Sequence, residues 1–343
     1  MTLNLLYELI EERKHQILLA ILGLVIVSGI FYSLYLGDSL RFLPDELDYY
    51  TLAENLVTKR VYSLDGNQPT AYRPPGYPLF LSLLYLMGAR IVHFRIFNFL
   101  ILGCSIYIIY RTLLDVSSPF SAVVGVFLVV FYPVAFFTAG TLYPQTLATL
   151  LFLVACYLLT RNPRGTLDYL FSGLILGYLV LTIPTFVIVL PVFGLWHWLN
   201  RKESWLIGFT ITLVSAIFVV SIWTIRNYKV FDHIVFVSTN SGENLLLGNS
   251  ENTTSSSGSQ VDISKYVAEA SNLKEIERDQ FYRGQALDYM MSHKFQTIKM
   301  YFFKFLNFFN FRNDLVTKDE QSTLGDILML ITYGPLLLLT VFR

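Results

Sequence analysis

Apolar residues dominate the stretches 17–36, 91–114, 119–138, 146–160, 169–182, 185–199, 206–225 and 324–342, and polar stretches separate them. A helix crosses a bilayer core in roughly 20 residues, so the pattern predicts an all-α polytopic membrane protein with about eight crossings. The runs on either side of Ile183-Pro184 are short. Proline there predicts a bent or broken pair rather than two straight spans. The first run is too long and too polar at its exit for a cleaved signal peptide, and it reads as an anchor.

Basic residues orient the bundle. Arg13 and Lys14 precede the first run, and Arg111 follows the second. Arg161 and Arg164 follow the fourth, Arg201 and Lys202 the sixth, and Arg343 the last. With eight crossings these all fall on one face, which the positive-inside rule makes cytoplasmic. The opposite face receives two long segments. The predicted organisation is a transmembrane bundle over 1–225 that includes a first outer loop at 37–76. An extracytoplasmic segment over 226–322 and a last crossing over 323–343 follow.

Residues 77–87 are too short to cross and predict a partial helix near the outer face. The second outer segment predicts a short β-like run at Ile234–Ser238, a turn at Ser241-Gly242 and a helix over Ile263–Ser292. The stretch Asn252–Ser259 is of low complexity and predicts a flexible loop tip. Lys294–Phe311 is dense in phenylalanine, with Lys294, Lys299 and Lys304 interspersed. That composition suits a helix lying in a membrane interface, its lysines reaching to headgroups.

Composition agrees. Of 343 residues 54% are hydrophobic and only 15% charged, against about 25% charged in soluble domains. An ordinary soluble enzyme is excluded on that ground. The 25 basic residues balance the 25 acidic ones, so bulk charge gives no nucleic-acid-binding surface. Cys104 and Cys156 lie in apolar runs and fit neither a disulfide framework nor a zinc site.

Candidate chemistry sits at the outer edge. Leu47, Tyr50, Ala53 and Leu56 predict a short helix whose first turn holds Asp45 and Glu46. Acids there also suit the helix dipole on structural grounds alone. A carboxylate at the mouth of a helical bundle can take a proton from a hydroxyl or hold a divalent cation. The segment Tyr72-Arg73-Pro74-Pro75-Gly76 fixes the backbone after Arg73, and its guanidinium suits a phosphate. The alternative is contact with lipid headgroups or a loop carbonyl. Arg226 and Asn227 close the seventh run beside Trp223 and Tyr228, where interfacial anchoring competes with ligand binding. Asn244 and Asn249 belong to an amide- and glycine-rich stretch that could meet sugar hydroxyls or simply form turns. His93 and His233 lack partners at metal-ligand spacing. Arg90, His93 and Arg95 are explained by interfacial snorkelling.

Pro44-Asp45-Glu46-x-x-Tyr49, Tyr72-Arg73-Pro74-Pro75-Gly76-Tyr77-Pro78, Trp223-Thr224-Ile225-Arg226-Asn227-Tyr228 and Asn244-Leu245-x-Leu247-Gly248-Asn249 occur in that order. The ordered set resembles membrane glycosyltransferases of the GT-C superfamily. The nearest branch is that of protein O-mannosyltransferases and the lipid A aminoarabinose transferase. The resemblance implies a GT-C-like bundle in the cytoplasmic membrane with its site facing the periplasm or cell exterior. It implies transfer of a sugar from a polyprenyl-phosphate carrier to an acceptor of unstated identity. Asp45, with Glu46 adjacent, matches the catalytic acid position. A magnesium or manganese ion at Asp45 is compatible with that family. Arg73, with Arg226 behind it, matches the lipid-phosphate contact, while Tyr72, Asn227, Asn244 and Asn249 match substrate-facing positions. Two positions depart from the pattern. Gln145 stands where relatives carry an acid, and Ile183 where many carry an arginine. The chain is also short for the group, as a minimal or truncated form would be. A lipid or polysaccharide translocator and a catalytically silent membrane partner are the competing classes.

Overall fold

The computed structural model describes residues 3–41, 44–161, 165–200, 205–258, 260–310 and 323–341. Arg164, Arg201, Lys202, Ser259, Phe311 and Arg343, which figure in the expectations above, lie outside them. The described residues are 77% helical, with no strand among them. It divides into two compact units, Met1–Val237 and Ser238–Arg343.

The first unit begins with α1 (Leu3–Leu36), which stops where Gly37 takes φ 65°, a left-handed conformation that favours glycine. Then come α2 (Asp45–Thr58), α3 (Gly76–Leu86) and α4 (Ile91–Val116). Asp38 Oδ1 caps the start of α4 by accepting Val92 N–H at 3.0 Å. The next apolar run breaks into α5 (Pro119–Val130) and α6 (Pro133–Ala139), bent by 61°. Pro133 supplies no N–H and holds Tyr132 extended, which ends the helix before it. After α7 (Gln145–Thr160) and α8 (Thr166–Thr182), Pro184 breaks the chain again. Ile183 is extended, and a 3₁₀ turn over Pro184–Ile188 leads into α9 (Val189–Asn200). The unit's last helix is α10 (Trp205–Phe231).

Three of these helices are long and apolar enough to cross a membrane: Tyr7–Leu36, Ile91–Val116 and Trp205–Phe231. The bent pair α5–α6 would make a fourth. The 16 residues of α7 span about 24 Å at 1.5 Å per residue, short of a bilayer core of about 30 Å. The long helices leave Leu19, Leu24, Phe31, Ile207 and Phe218 exposed, as a lipid-facing surface requires.

Helix packing uses small residues. A Cβ on Gly177 of α8 would lie 2.7 Å from the Ala216 carbonyl of α10, and one on Gly173 would strike the Thr212 carbonyl. Two glycines four apart thus let the backbones of α8 and α10 touch. A second apolar cluster joins Tyr49 and Ala53 of α2, Tyr77 and Leu81 of α3, Phe94 of α4 and Leu147 of α7.

The β-like run expected at Ile234–Ser238 is irregular instead. Side chains of α10 take its carbonyls: Asn227 Nδ2 donates to Val235 at 2.9 Å, Thr224 to Phe236 at 3.0 Å and Trp223 Nε1 to Val237 at 2.7 Å. Those bonds replace the ladder a partner strand would provide.

The second unit holds α11 (Ser241–Gly248), α12 (Ser264–Glu269), α13 (Glu275–Ser292), α14 (Lys294–Phe308) and α15 (Thr323–Val341). The single helix expected over Ile263–Ser292 is two, because Glu277 Oε2 caps Lys274 N–H at 3.2 Å and starts α13 afresh. Asp279 of α13 accepts Gly242 N–H at 2.6 Å, tying α13 to the start of α11.

Candidate functional site

The connection between α1 and α2 is held by a buried charge pair. Arg95 of α4 and Glu46 of α2 are fully buried, 3.7 Å apart. Arg95 donates to the carbonyls of Gly37 at 2.6 Å, Ser39 at 2.8 Å and Gly140 at 2.9 Å. Glu46 accepts Arg41 N–H at 2.9 Å through Oε2 and Leu142 N–H at 2.7 Å through Oε1. Each charge is hydrogen-bonded as well as paired, which a buried ion needs. Glu46, expected beside Asp45 as a second reactive acid, is therefore a structural anchor. Arg95, expected at the interface, is its interior partner.

With Glu46 turned inward, the same helical turn presents Asp45 and Asp48 on another side, three residues apart. Both meet Arg73. Its Nη2 lies 2.5 Å from Asp45 Oδ1 and 2.8 Å from Asp48 Oδ2, and its Nε donates to Asp48 Oδ2 at 2.9 Å. The guanidinium also faces the rings of Tyr72 and Tyr49, 5.1 and 5.6 Å from their centroids. Exposure grades outward: the side chains of Arg73, Asp48 and Asp45 are 14, 20 and 42% exposed. The bonds among these three side chains use Nε and Nη2 of Arg73 and Oδ1 of Asp45, and leave Nη1 and Asp45 Oδ2 outside the pairing.

Burial opposes the charge on Arg73, but Asp45 and Asp48 outweigh it and raise its pKa. Burial pushes the Tyr49 phenol up to about 12; Arg73 opposes that rise, while Asp45 and Asp48 add to it. The cluster of two carboxylates and one guanidinium carries a formal charge of about −1.

Four side-chain contacts fix the backbone that carries Arg73. Tyr62 OH donates to the carbonyls of Arg73 and Pro74 at 2.9 and 3.2 Å. Arg226 Nη1 donates to Thr70 O at 2.9 Å. Tyr178 OH donates to Gly76 O at 2.7 Å. Gly76 itself lies so close to α8 that a Cβ there would sit 2.7 Å from Thr182 N. The Pro-Pro-Gly sequence is thus a stiff segment clamped on α8 and α10.

The remaining expected residues divide. Arg226 stacks on Trp223 at 4.7 Å and grips the loop of Arg73, so it supports that arginine from behind. Asn227 is buried and shapes the turn after α10. Tyr72 is half-buried against Arg73. Asn244 and Asn249 belong to the second unit. Asn244 is exposed on α11, while Asn249 is buried, its amide donating to Leu245 O at 2.9 Å. Gln145 is exposed at the start of α7. Sequence reasoning missed Asp48, Tyr62 and Tyr178. Only Asp48 carried a local signal, its spacing of three from Asp45.

No group of three or more His, Cys, Asp or Glu side chains gathers among the described residues. A divalent cation at Asp45 would compete with Arg73 for both carboxylates. Neither protein-family models, nor curated proteins, nor solved structures match the chain.

Proposed function

We propose that this chain is a GT-C-type glycosyltransferase of the cytoplasmic membrane with eight crossings, in which the bilayer thins around the helices shorter than a straight span. It transfers a sugar from a polyprenyl-phosphate carrier to an acceptor hydroxyl with inversion, on the outer face. The observation that carries this reading is the Asp45–Arg73 contact. It joins an acid at the start of α2 to the arginine before Pro74-Pro75, 28 residues on, with Asp45 the most exposed member.

The chemistry follows from those atoms. Asp45 takes the acceptor proton through Oδ2 as the hydroxyl oxygen bonds to the anomeric carbon. The bond from that carbon to the carrier phosphate breaks, and the phosphate leaves with the electron pair. Arg73 meets the growing negative charge with Nη1. A cluster that is net negative at rest repels an anion. Binding of the phosphate therefore has to draw Arg73 part-way from Asp45, which frees that acid as the donor arrives. Asp48, held by two bonds, keeps the guanidinium oriented meanwhile. Charge stabilisation in this scheme comes from Arg73 rather than from a cation.

Mass spectrometry of the lipid that co-purifies with the protein tests the substrate class. A polyprenyl-phosphate sugar supports the proposal. Bound lipid consisting of phospholipid alone, after incubation with such donors, counts against it.

A further inference from the structure

Helix α14 packs inside out. Thr297 is buried, and Lys304 Nζ donates to Gly248 O at 2.7 Å, so these polar residues face the rest of the second unit. Phe295, Ile298, Phe302 and Phe305 point away, 80, 70, 58 and 61% exposed. Their spacing of three, four and three places them in one stripe. A helix on a water-covered surface turns such a stripe inward.

Charge specifies what covers it. At 100° per residue, Lys294 and Lys299 fall on the two borders of the stripe, and α14 contains no acid. Two copies of this face brought together would set lysine against lysine, which disfavours self-association. The apolar surface also continues. Tyr333 OH of α15 lies 3.4 Å from Phe308 O, and α15 exposes Ile327, Leu330 and Ile331.

We propose that the stripe is covered by an anionic lipid surface, with α14 lying in the plane of the headgroup layer. Its phenylalanines enter the acyl boundary, and Lys294 and Lys299 extend to lipid phosphates. The face turned to the protein keeps Lys304 on Gly248, so the helix is fixed in roll as well as depth. This holds whatever reaction the first unit performs.

The test uses the full chain in vesicles, with Cys104 and Cys156 replaced by alanine. A single cysteine at Phe302→Cys or Ile298→Cys, on the stripe, or at Gln296→Cys, off it, carries an environment-sensitive fluorophore. Using two stripe positions guards against a local effect of losing one phenylalanine. In vesicles of phosphatidylglycerol and phosphatidylcholine, a lipid-borne quencher should act roughly threefold more strongly at the stripe positions. Lys294→Gln with Lys299→Gln, or vesicles of phosphatidylcholine alone, should shrink that difference. Equal quenching at all three positions, or a difference indifferent to anionic lipid, overturns the proposal. Protection of residue 302 that grows with the protein-to-lipid ratio also overturns it, because that marks a second copy as the cover.

Discussion

Asp48 accepts two hydrogen bonds from Arg73, at 2.9 Å from Nε and 2.8 Å from Nη2, across 25 residues of sequence. Asp45 accepts one, and its side chain is twice as open to solvent. The two acids of this turn therefore have different work. Asp48 orients the guanidinium, while Asp45 keeps the more open side chain.

Stability should separate them. Asp48→Ala removes a charge-assisted pair from a mostly buried arginine and should cost about 2 kcal/mol. Asp45→Ala removes a half-exposed partner and should cost less than about 1 kcal/mol. Unfolding of both variants in the same detergent checks the order. Equal losses would refute the division of roles.

Glu46→Gln tests the buried anchor. Both oxygens of Glu46 accept backbone N–H groups, so a glutamine must turn its amide N–H toward one of them. Arg95 would also lose its counter-charge in a fully buried site. The expected loss is about 3–5 kcal/mol, read from thermal unfolding. A variant as stable as the parent would show that Arg95 is satisfied by its three carbonyls alone.

Stability should also fall in alkali through α2. Burial pushes Tyr49 up to about 12, and burial with Glu54 does the same for Tyr50. The folded chain then holds phenolic protons that the unfolded chain releases from about pH 10 upward. The contribution is full below pH 10 and is lost as the pH rises through about 12. Replacing both residues by phenylalanine should flatten this part of the stability–pH curve. An unchanged slope would contradict the burial of these phenols.

Close packing behind the arginine makes a further prediction. Gly76→Ala places a methyl against the Thr182 backbone and should cost about 1–3 kcal/mol, because backbone cannot yield as a side chain can. Tyr178→Phe, which removes only the bond to Gly76 O, should cost about 1 kcal/mol. Unfolding measurements that reverse this order would refute the close approach to α8.

The long apolar helices were legible in the sequence because each is written in a local run of apolar residues, and Pro184 marked a break; the bend at Pro133, inside the run expected as one crossing over 119–138, was not. Arg73 and Asp45 were legible because their neighbours stiffen or start a local element. Glu46 was misread because adjacent acids at a helix start look alike, and only the tertiary position of Arg95 turns one of them inward. The Ile234–Ser238 run has β propensity, but the side chains that capture its carbonyls belong to α10. Tyr62 and Tyr178 have no local signal, since their partners lie 11 and 102 residues away.

The most direct measurement is transfer by the purified full chain in vesicles supplied with a panel of polyprenyl-phosphate sugars and acceptors, comparing the parent with Asp45→Asn. The account predicts release of polyprenyl phosphate by the parent. It predicts a loss of roughly 10²–10⁴-fold in the Asp45→Asn variant at an unchanged unfolding temperature. Parent-like transfer by that variant would remove Asp45 from the chemistry. A parent inert toward the whole panel would contradict the account and leave the fold as a membrane scaffold.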